Sequence, residues 1–413
     1  MKKRLGDIAD VISGFAFKSS WLGEHGVPVI KIGNILDDGS IDLEKCQYLP
    51  DSFWDSKFSK YLLRPGDILI AMTGATCGKV GRFNSEEKYL LNQRVAVVRG
   101  REVSQDMLWV VLSQKIYREK LYNLGRGAAQ PNISGKQIED IEVLFPDKDA
   151  IPEIEQTISD IDDLIEKNKQ QIALLEESAQ LIYKEWFVRL RFPGYEKVRI
   201  LNGVPEGWKY RSLSEFIDVT HGYAFKGEFF VDEATKFVLT TPGNIKVGAG
   251  FKSDKFKYYS SEGPVDERYV FQSRDIFVGM TDLSKTSDTL GYPAFVPYSE
   301  DEVYLHNQRL GRVIPKTDYF PRNFIFQILT DFRYRHHVVG AATGTSVKHT
   351  SPTRILSYSQ FLPPISKKSL IGKFDDLVEP IYLQILNLEL QNKKLALARG
   401  LLLPRLMNGD IEL

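Results

Sequence analysis

The sequence predicts a mixed α/β protein with two similar globular modules, separated by two long antiparallel coiled-coil helices and related by a pseudo-twofold internal repeat. Three observations carry this. Leu5–Lys18 (LGDIADVISGFAFK) recurs as Leu213–Lys226 (LSEFIDVTHGYAFK), offset by 226 − 18 = 208, with seven of fourteen positions identical. At the same offset Asp67-ILIAMTG maps onto Asp275-IFVGMTD, matching Met72 and Thr73 to Met280 and Thr281. Asn92-Gln93-Arg94 returns as Asn307-Gln308-Arg309, at 307 − 92 = 215, so short insertions separate the copies. A duplication of this length, with a heptad helix closing each copy, implies two equivalent units held at a fixed separation.

Within the first module, Val27-PVIKIGNI, Gly66-DILIAM and Tyr89-LLNQRVAVV are apolar or β-branched runs bounded by Gly, Pro, Asn and Asp, and they read as strands. Met107-LWVVLSQKIYREKLYNL has helical apolar spacing and ends at Gly125, a natural cap. The second module repeats the order with Val238-LTTPGNI, Asp275-IFVGM, Val303-YLHNQRLGRVI and the helical Asn323-FIFQILTDFRYRHHVV.

The closing helices give the strongest periodicity. Ile151, Ile154, Ile158, Ile161, Ile165, Asn168, Ile172, Leu175, Ala179, Ile182 and Trp186 recur at spacings of three and four, a seam that predicts a coiled coil roughly 50 Å long. Its counterpart runs through Ile371, Phe374, Val378, Ile381, Ile385, Leu388, Asn392, Leu395 and Leu402, with Arg399 interrupting. Pro380 is expected to kink this helix or to mark its start. Asn168 and Asn392 are the register candidates, since one buried amide costs stability and fixes alignment; tolerance at an exposed stretch is the plainer reading. The boundaries expected are 1–148 and 191–365 for the modules, 149–190 and 366–413 for the helices.

Composition adds limits. The 413 residues suffice for two or more cores, and 54 basic against 54 acidic residues give no net charge, so an anion-binding surface would need local segregation. Two lone cysteines, Cys46 and Cys77, fit a reducing compartment, and the start MKKRLGDIAD has no apolar signal core; a cytoplasmic protein without membrane spans is expected. Catalytic constellations are missing. Gly74-ATCGKV has three residues between its glycines and Val80 after Lys79, so it fails twice as a phosphate loop. No dinucleotide fingerprint or methyltransferase tetrapeptide occurs, and the adjacent His336 and His337 diverge on a helix, so no metal site is expected.

The Gly14-FAFK and Gly222-YAFK turns, Ile32-GNI, the Asn-Gln-Arg triplets, Ala179-QLIYKEWFV, Val204-PEGW and Leu402-LPRLMNGDI together resemble the specificity subunits of type I restriction–modification systems, over the whole chain. The first copy has no counterpart of the Pro-Glu-Gly-Trp lead. The resemblance implies two target recognition domains, each reading one half of an asymmetric bipartite site in double-stranded DNA. It implies helices that set the spacer and dock two methyltransferase (modification) subunits, with restriction motor subunits joining. S-adenosylmethionine, ATP and Mg would then belong to the partners, and this chain would have no catalytic residues. A coiled-coil scaffold without DNA-reading activity is the alternative.

The repeat also sorts candidate DNA contacts, because shared residues should serve fold or backbone positioning and base readers should differ. Lys18 and Lys226 suit phosphate, or are solvated lysines after a structural turn. Gln93, Arg94, Gln308 and Arg309 have donors suited to bases, yet being shared they are better expected to brace the module or touch backbone. Asn34 and Asn244 of the Gly-Asn-Ile runs, with Lys31 before the first run, join the candidates. The segments Gly125-RGAAQPNIS and Ala342-TGTSVKHTS align but diverge. They supply Arg126, Gln130, Asn132 and Ser134 in one copy, and Thr343, Thr345, Lys348 and His349 in the other, with an ordinary loop as the plain alternative. Trp21 and Phe229 are expected in core packing.

Overall fold

The computed structural model describes residues 2–125, 131–146, 150–253, 256–282, 284, 286–344, 347–366, 369–408 and 411. The chain divides into two units, Met1–Glu166 with Lys393–Leu413, and Lys167–Asn392.

In the first unit an antiparallel sheet runs Ala9–Ser13, Val95–Gly100, Ile68–Ala71, Val80–Arg82. A smaller sheet runs Gln47–Leu49, Val27–Ile30, Leu90–Leu91, its last pair parallel. The second unit repeats the larger sheet as Ile217–His221, Leu310–Pro315, Ile276–Gly279, Pro293–Phe295. Its smaller sheet is Phe230–Val231, Lys257–Tyr259, Phe237–Thr240, Val303–His306, again closed by a parallel pair. The mixed α/β class and the duplication therefore hold, with Phe230–Val231 an added strand in the second small sheet.

Two expected elements divide. Tyr89-LLNQRVAVV is two strands, because Asn92-Gln93-Arg94 turns the chain out of the small sheet and into the large one. The expected helix within each module breaks in two: Gln105–Leu112 and Lys115–Leu124 in one copy, Arg322–Thr330 and Phe332–Val339 in the other. The second break is fixed by Asp331, whose Oδ1 accepts from the Arg333 amide at 2.9 Å, a helix N-cap.

The long helices are Ile151–Tyr183, followed by a π turn at Lys184–Val188, and Leu370–Asn408. The latter begins ten residues before Pro380 and runs through it, so Pro380 does not mark its start. Each unit uses part of both. In the first, Ile154, Ile158, Leu403 and Leu406 join the core formed by Ile68, Ile70, Leu108 and Val111. In the second, Ile172, Ala179, Phe374, Val378 and Ile385 join Ile276, Val278, Phe324 and Ile328. Asn168 meets Asn392 there, and Tyr183 meets Phe374, so these two segments run antiparallel. Asn168 is buried and donates from Nδ2 to Asn392 Oδ1 at 2.9 Å. That bond satisfies an amide that apolar neighbours could not, and a shift of register would break it.

Candidate nucleic-acid interface

The repeated motifs lie far apart in sequence but meet in each unit. The Gly-aromatic-Ala-Phe-Lys turn lies beside the Asn-Gln-Arg turn: Phe15 N donates to Leu91 O and Gln93 N to Phe15 O, both at 2.9 Å. Tyr223 N likewise donates to His306 O at 2.9 Å, and Gln308 N to Tyr223 O at 3.0 Å. The approach explains the shared glycines. A Cβ on Gly14 would stand 2.3 Å from Asn92 O and 2.4 Å from Leu91 O; on Gly222 it would stand 2.3 Å from both Asn307 O and His306 O. The Asn side chains hold their own turns, since Asn92 Oδ1 accepts from Arg94 N at 3.3 Å and Asn307 Oδ1 from Arg309 N at 3.0 Å.

A third segment completes the arrangement. Met72 N donates to Arg94 O at 2.9 Å, and Ile133 N to Met72 O at 2.9 Å, with Thr73 paired antiparallel to Asn132. In the second unit Met280 N donates to Arg309 O and Thr350 N to Met280 O, each at 3.0 Å, while Thr281 pairs with His349. Met-Thr is thus the strand between the Asn-Gln-Arg turn and the divergent loop. The sequence carried its signal, a match at the offset of the strand before it, but gave it no role.

On this rim Gln93, Arg94, Gln308 and Arg309 are exposed, and among the described residues no ion pair or hydrogen bond holds the Arg94 or Arg309 guanidinium. Lys18 and Lys226 are exposed nearby in sequence, Lys18 Nζ lying 5.4 Å from the Trp21 ring and Lys226 Nζ 3.5 Å from Glu228. Phe17 and Phe225 anchor the turns in aromatic clusters with Phe58 and Tyr259. Trp21 stacks on Phe53 and Phe229 packs on Tyr259, as core packing expects. Asn132, Thr343 and His349 are exposed and Lys348 is half-buried; His349 Nδ1 lies 3.2 Å from Thr281 Oγ1. Arg126, Gln130 and Thr345 lie outside the described residues.

Several candidates are corrected. Asn34 and Asn244 are buried, and their amides are used up inside loops. Asn34 accepts from Lys31 N at 2.9 Å and donates to Asp42 O at 2.8 Å, while Asn244 accepts from Thr241 N at 2.9 Å and donates to Lys252 O at 3.1 Å. Lys31 is half-buried and bonded to Gln47 Oε1, and desolvation holds its amine below the usual lysine range. Ser134 caps the helix Gly135–Glu139, its Oγ accepting from Gln137 N at 3.2 Å, and Ser351 caps its counterpart through Arg354 N at 3.2 Å. Ser134 is therefore spent on the fold and not on DNA, as is its counterpart. Lys79, in the failed phosphate loop, is buried and ion-paired to Asp37 at 2.9 Å.

The second rim rests on a buried imidazole. His306 stands where the first unit has Leu91 (306 − 91 = 215), with Nε2 3.0 Å from Leu310 O and its ring 4.6 Å from Phe271. Burial pulls its pKa down to about 4, only partly opposed by the Leu310 carbonyl. Below an unfolded value near 6.5 the unfolded chain takes a proton that the folded one refuses. Stability is therefore intact above about pH 6.5 and falls by up to about 1.4 kcal/mol per unit toward pH 4. Between pH 7 and 5 the second unit should lose about 2 kcal/mol more than a His306→Leu variant, read from urea midpoints. Equal losses in both proteins would refute this.

Among the described residues no group of three or more His, Cys, Asp or Glu is placed to hold a metal, and no helix is long and apolar enough to cross a membrane. Duplicated modules, each gathering its shared motifs onto one exposed polar rim, define a two-module recognition protein. Residues 1–177 match the family model of the type I restriction modification DNA specificity domain. Over that first part the chain is similar to type I restriction–modification specificity subunits. It is similar to the MjaIX specificity subunit of Methanocaldococcus jannaschii (23% identical, 75% of this chain and 70% of that one) and to the HindI specificity subunit of Haemophilus influenzae (22%, 98% of each). The crystal structure of the S subunit from M. genitalium shares the fold, with a TM-score of 0.51 at 14% identity over 98% of this chain and 95% of that one.

Proposed function

We propose that each rim reads one half of an asymmetric two-part site in double-stranded DNA, and that the long helices set the spacer and dock two methyltransferase subunits, which restriction motor subunits then join. The observation that carries DNA reading is the pair of exposed guanidiniums, Arg94 and Arg309, at equivalent points of the two rims with no protein partner among the described residues. A protein gains nothing for its fold by leaving such groups unpaired, whereas phosphate and base edges match them. The shared elements would place the backbone, and Asn132 and His349, opposite Thr73 and Thr281, would supply the difference between half-sites. Chemistry would fall to the partners, which would hold S-adenosylmethionine, ATP and Mg, in the cytoplasm where the DNA is.

Mapping methylated bases across the host genome, with and without this gene, tests the reading. One asymmetric two-part motif lost on deletion is expected. An unchanged methylome, together with no salt-dependent DNA binding by the reconstituted complex, would leave the scaffold alternative.

A further inference from the structure

In the first unit an arginine from the last helix fills a place that the second unit leaves open. Arg399 lies 5.6 Å from the Trp109 ring, ion-pairs with Asp162 at 2.8 Å and donates from Nη2 to Ser113 Oγ at 2.9 Å. Trp109 Nε1 also donates to Asp162 at 2.9 Å, so aromatic ring, carboxylate and hydroxyl together form a guanidinium seat.

The corresponding positions in the second unit follow from two offsets. Helix Gln105–Leu112 answers Arg322–Thr330 at 217, which places Phe326 for Trp109, Gln327 for Val110 and Thr330 for Ser113. On the long helices, Arg399 is seven residues beyond Asn392, and the residue seven beyond Asn168 is Leu175. Asp162 is six before Asn168, and six before Asn392 is Leu386. The second unit therefore has the aromatic and hydroxyl positions but neither the arginine nor its carboxylate. A cleft of about 310 Å³ opens there, lined by Phe326, Gln327, Thr330, Leu386 and the carboxylates Glu176 and Glu389. This is at the low end of small-ligand sites, about 300–1,000 Å³.

Two independent features ask for a cationic donor. Gln327 is buried and spends Nε2 on Tyr382 Oη at 2.8 Å, but its Oε1 has no hydrogen-bond partner. Glu176 and Glu389 reach the surface at the rim, yet the cleft walls desolvate both carboxyls and push Glu389 up to about 7, with Glu176 adding repulsion and Lys246 relieving it in part. Arg274, which also lines the cleft, is committed to Glu379 through two bonds of 2.5 and 2.6 Å. Stacked Phe295 and Phe326, 4.4 Å apart, supply an aromatic wall.

We propose that this cleft receives the guanidinium of an arginine carried by a protein docked on the second unit, completing from outside what Arg399 completes from within in the first. Exposed Leu174, Leu181 and Leu383 on the same helix segments favour a protein over a free metabolite, because a protein would cover them as well. The inference rests on the docking of a methyltransferase subunit proposed above, and not on DNA reading.

Ile385 also lines the cleft, so its methyl resonance in the ¹³C-methyl-labelled full chain reports occupancy. Titration with N-ethylguanidinium should shift it saturably, at concentrations on the order of millimolar for so small a probe. Glu176→Gln with Glu389→Gln should weaken binding by about tenfold or more, and should weaken assembly with the cognate methyltransferase subunit comparably. No saturable shift, or shifts indifferent to the Gln variants, would overturn the site. Free arginine binding as tightly as N-ethylguanidinium, or assembly unaffected by the Gln variants, would overturn the protein side chain as its occupant.

Discussion

Gly222→Ala is expected to remove about 3 kcal/mol or more from the second unit. The added carbon would stand 2.3 Å from two main-chain oxygens, those of His306 and Asn307, and no flexible side chain can yield to make room. To relieve the clash, the Gly-Tyr-Ala-Phe-Lys turn must lift from the Asn-Gln-Arg turn, breaking the bonds of Tyr223 N and Gln308 N. Hydrogen exchange should accelerate in Ile217–His221, Val303–His306 and Leu310–Pro315, while the first unit stays protected. A urea midpoint within about 0.5 kcal/mol of the parent would show that the two turns are not coupled in this way.

Arg309→Ala should leave stability nearly unchanged, because the side chain is exposed and makes no hydrogen bond or ion pair among the described residues. Its effect should fall on DNA, with affinity of the assembled complex dropping about 10- to 100-fold. Because the first unit carries arginine at the same point, a backbone contact is expected: the loss should be uniform across sequences and the salt slope should fall by about one. Relaxed recognition at one base pair of one half-site would instead make Arg309 a base reader. Unchanged affinity would remove it from the interface.

The duplication, the strand runs and the heptad seams were legible because each is periodic or repeated, and repetition survives divergence that hides other signals. Within the site, legibility followed exposure. Gln93, Arg94, Gln308 and Arg309 were picked out by their donors and their repetition, although the turn they make lay hidden in a run that read as a single strand. Asn34 and Asn244 were misread because composition cannot distinguish an amide aimed at solvent from one closing its own loop. Met72-Thr73 went unassigned because its role is made by main-chain bonds to Arg94 and Ile133, which any residue type can form. Arg399 read as a flaw in the seam because Trp109, Asp162 and Ser113, which seat it, lie far away in sequence.

The Asn-Gln-Arg turn of each unit passes the chain from the small sheet to the large one, and the bonds that hold it there are almost all main-chain. The exposed side chains at Asn132 and His349 add little to that scaffold, His349 only a contact from Nδ1 to Thr281 Oγ1. Stability and discrimination are therefore written in separate alphabets, one in peptide groups and glycines, the other in loop side chains. A lineage can rewrite the second by point substitution while selection on the first stays silent, so new preferences can arise without passing through an unfolded ancestor.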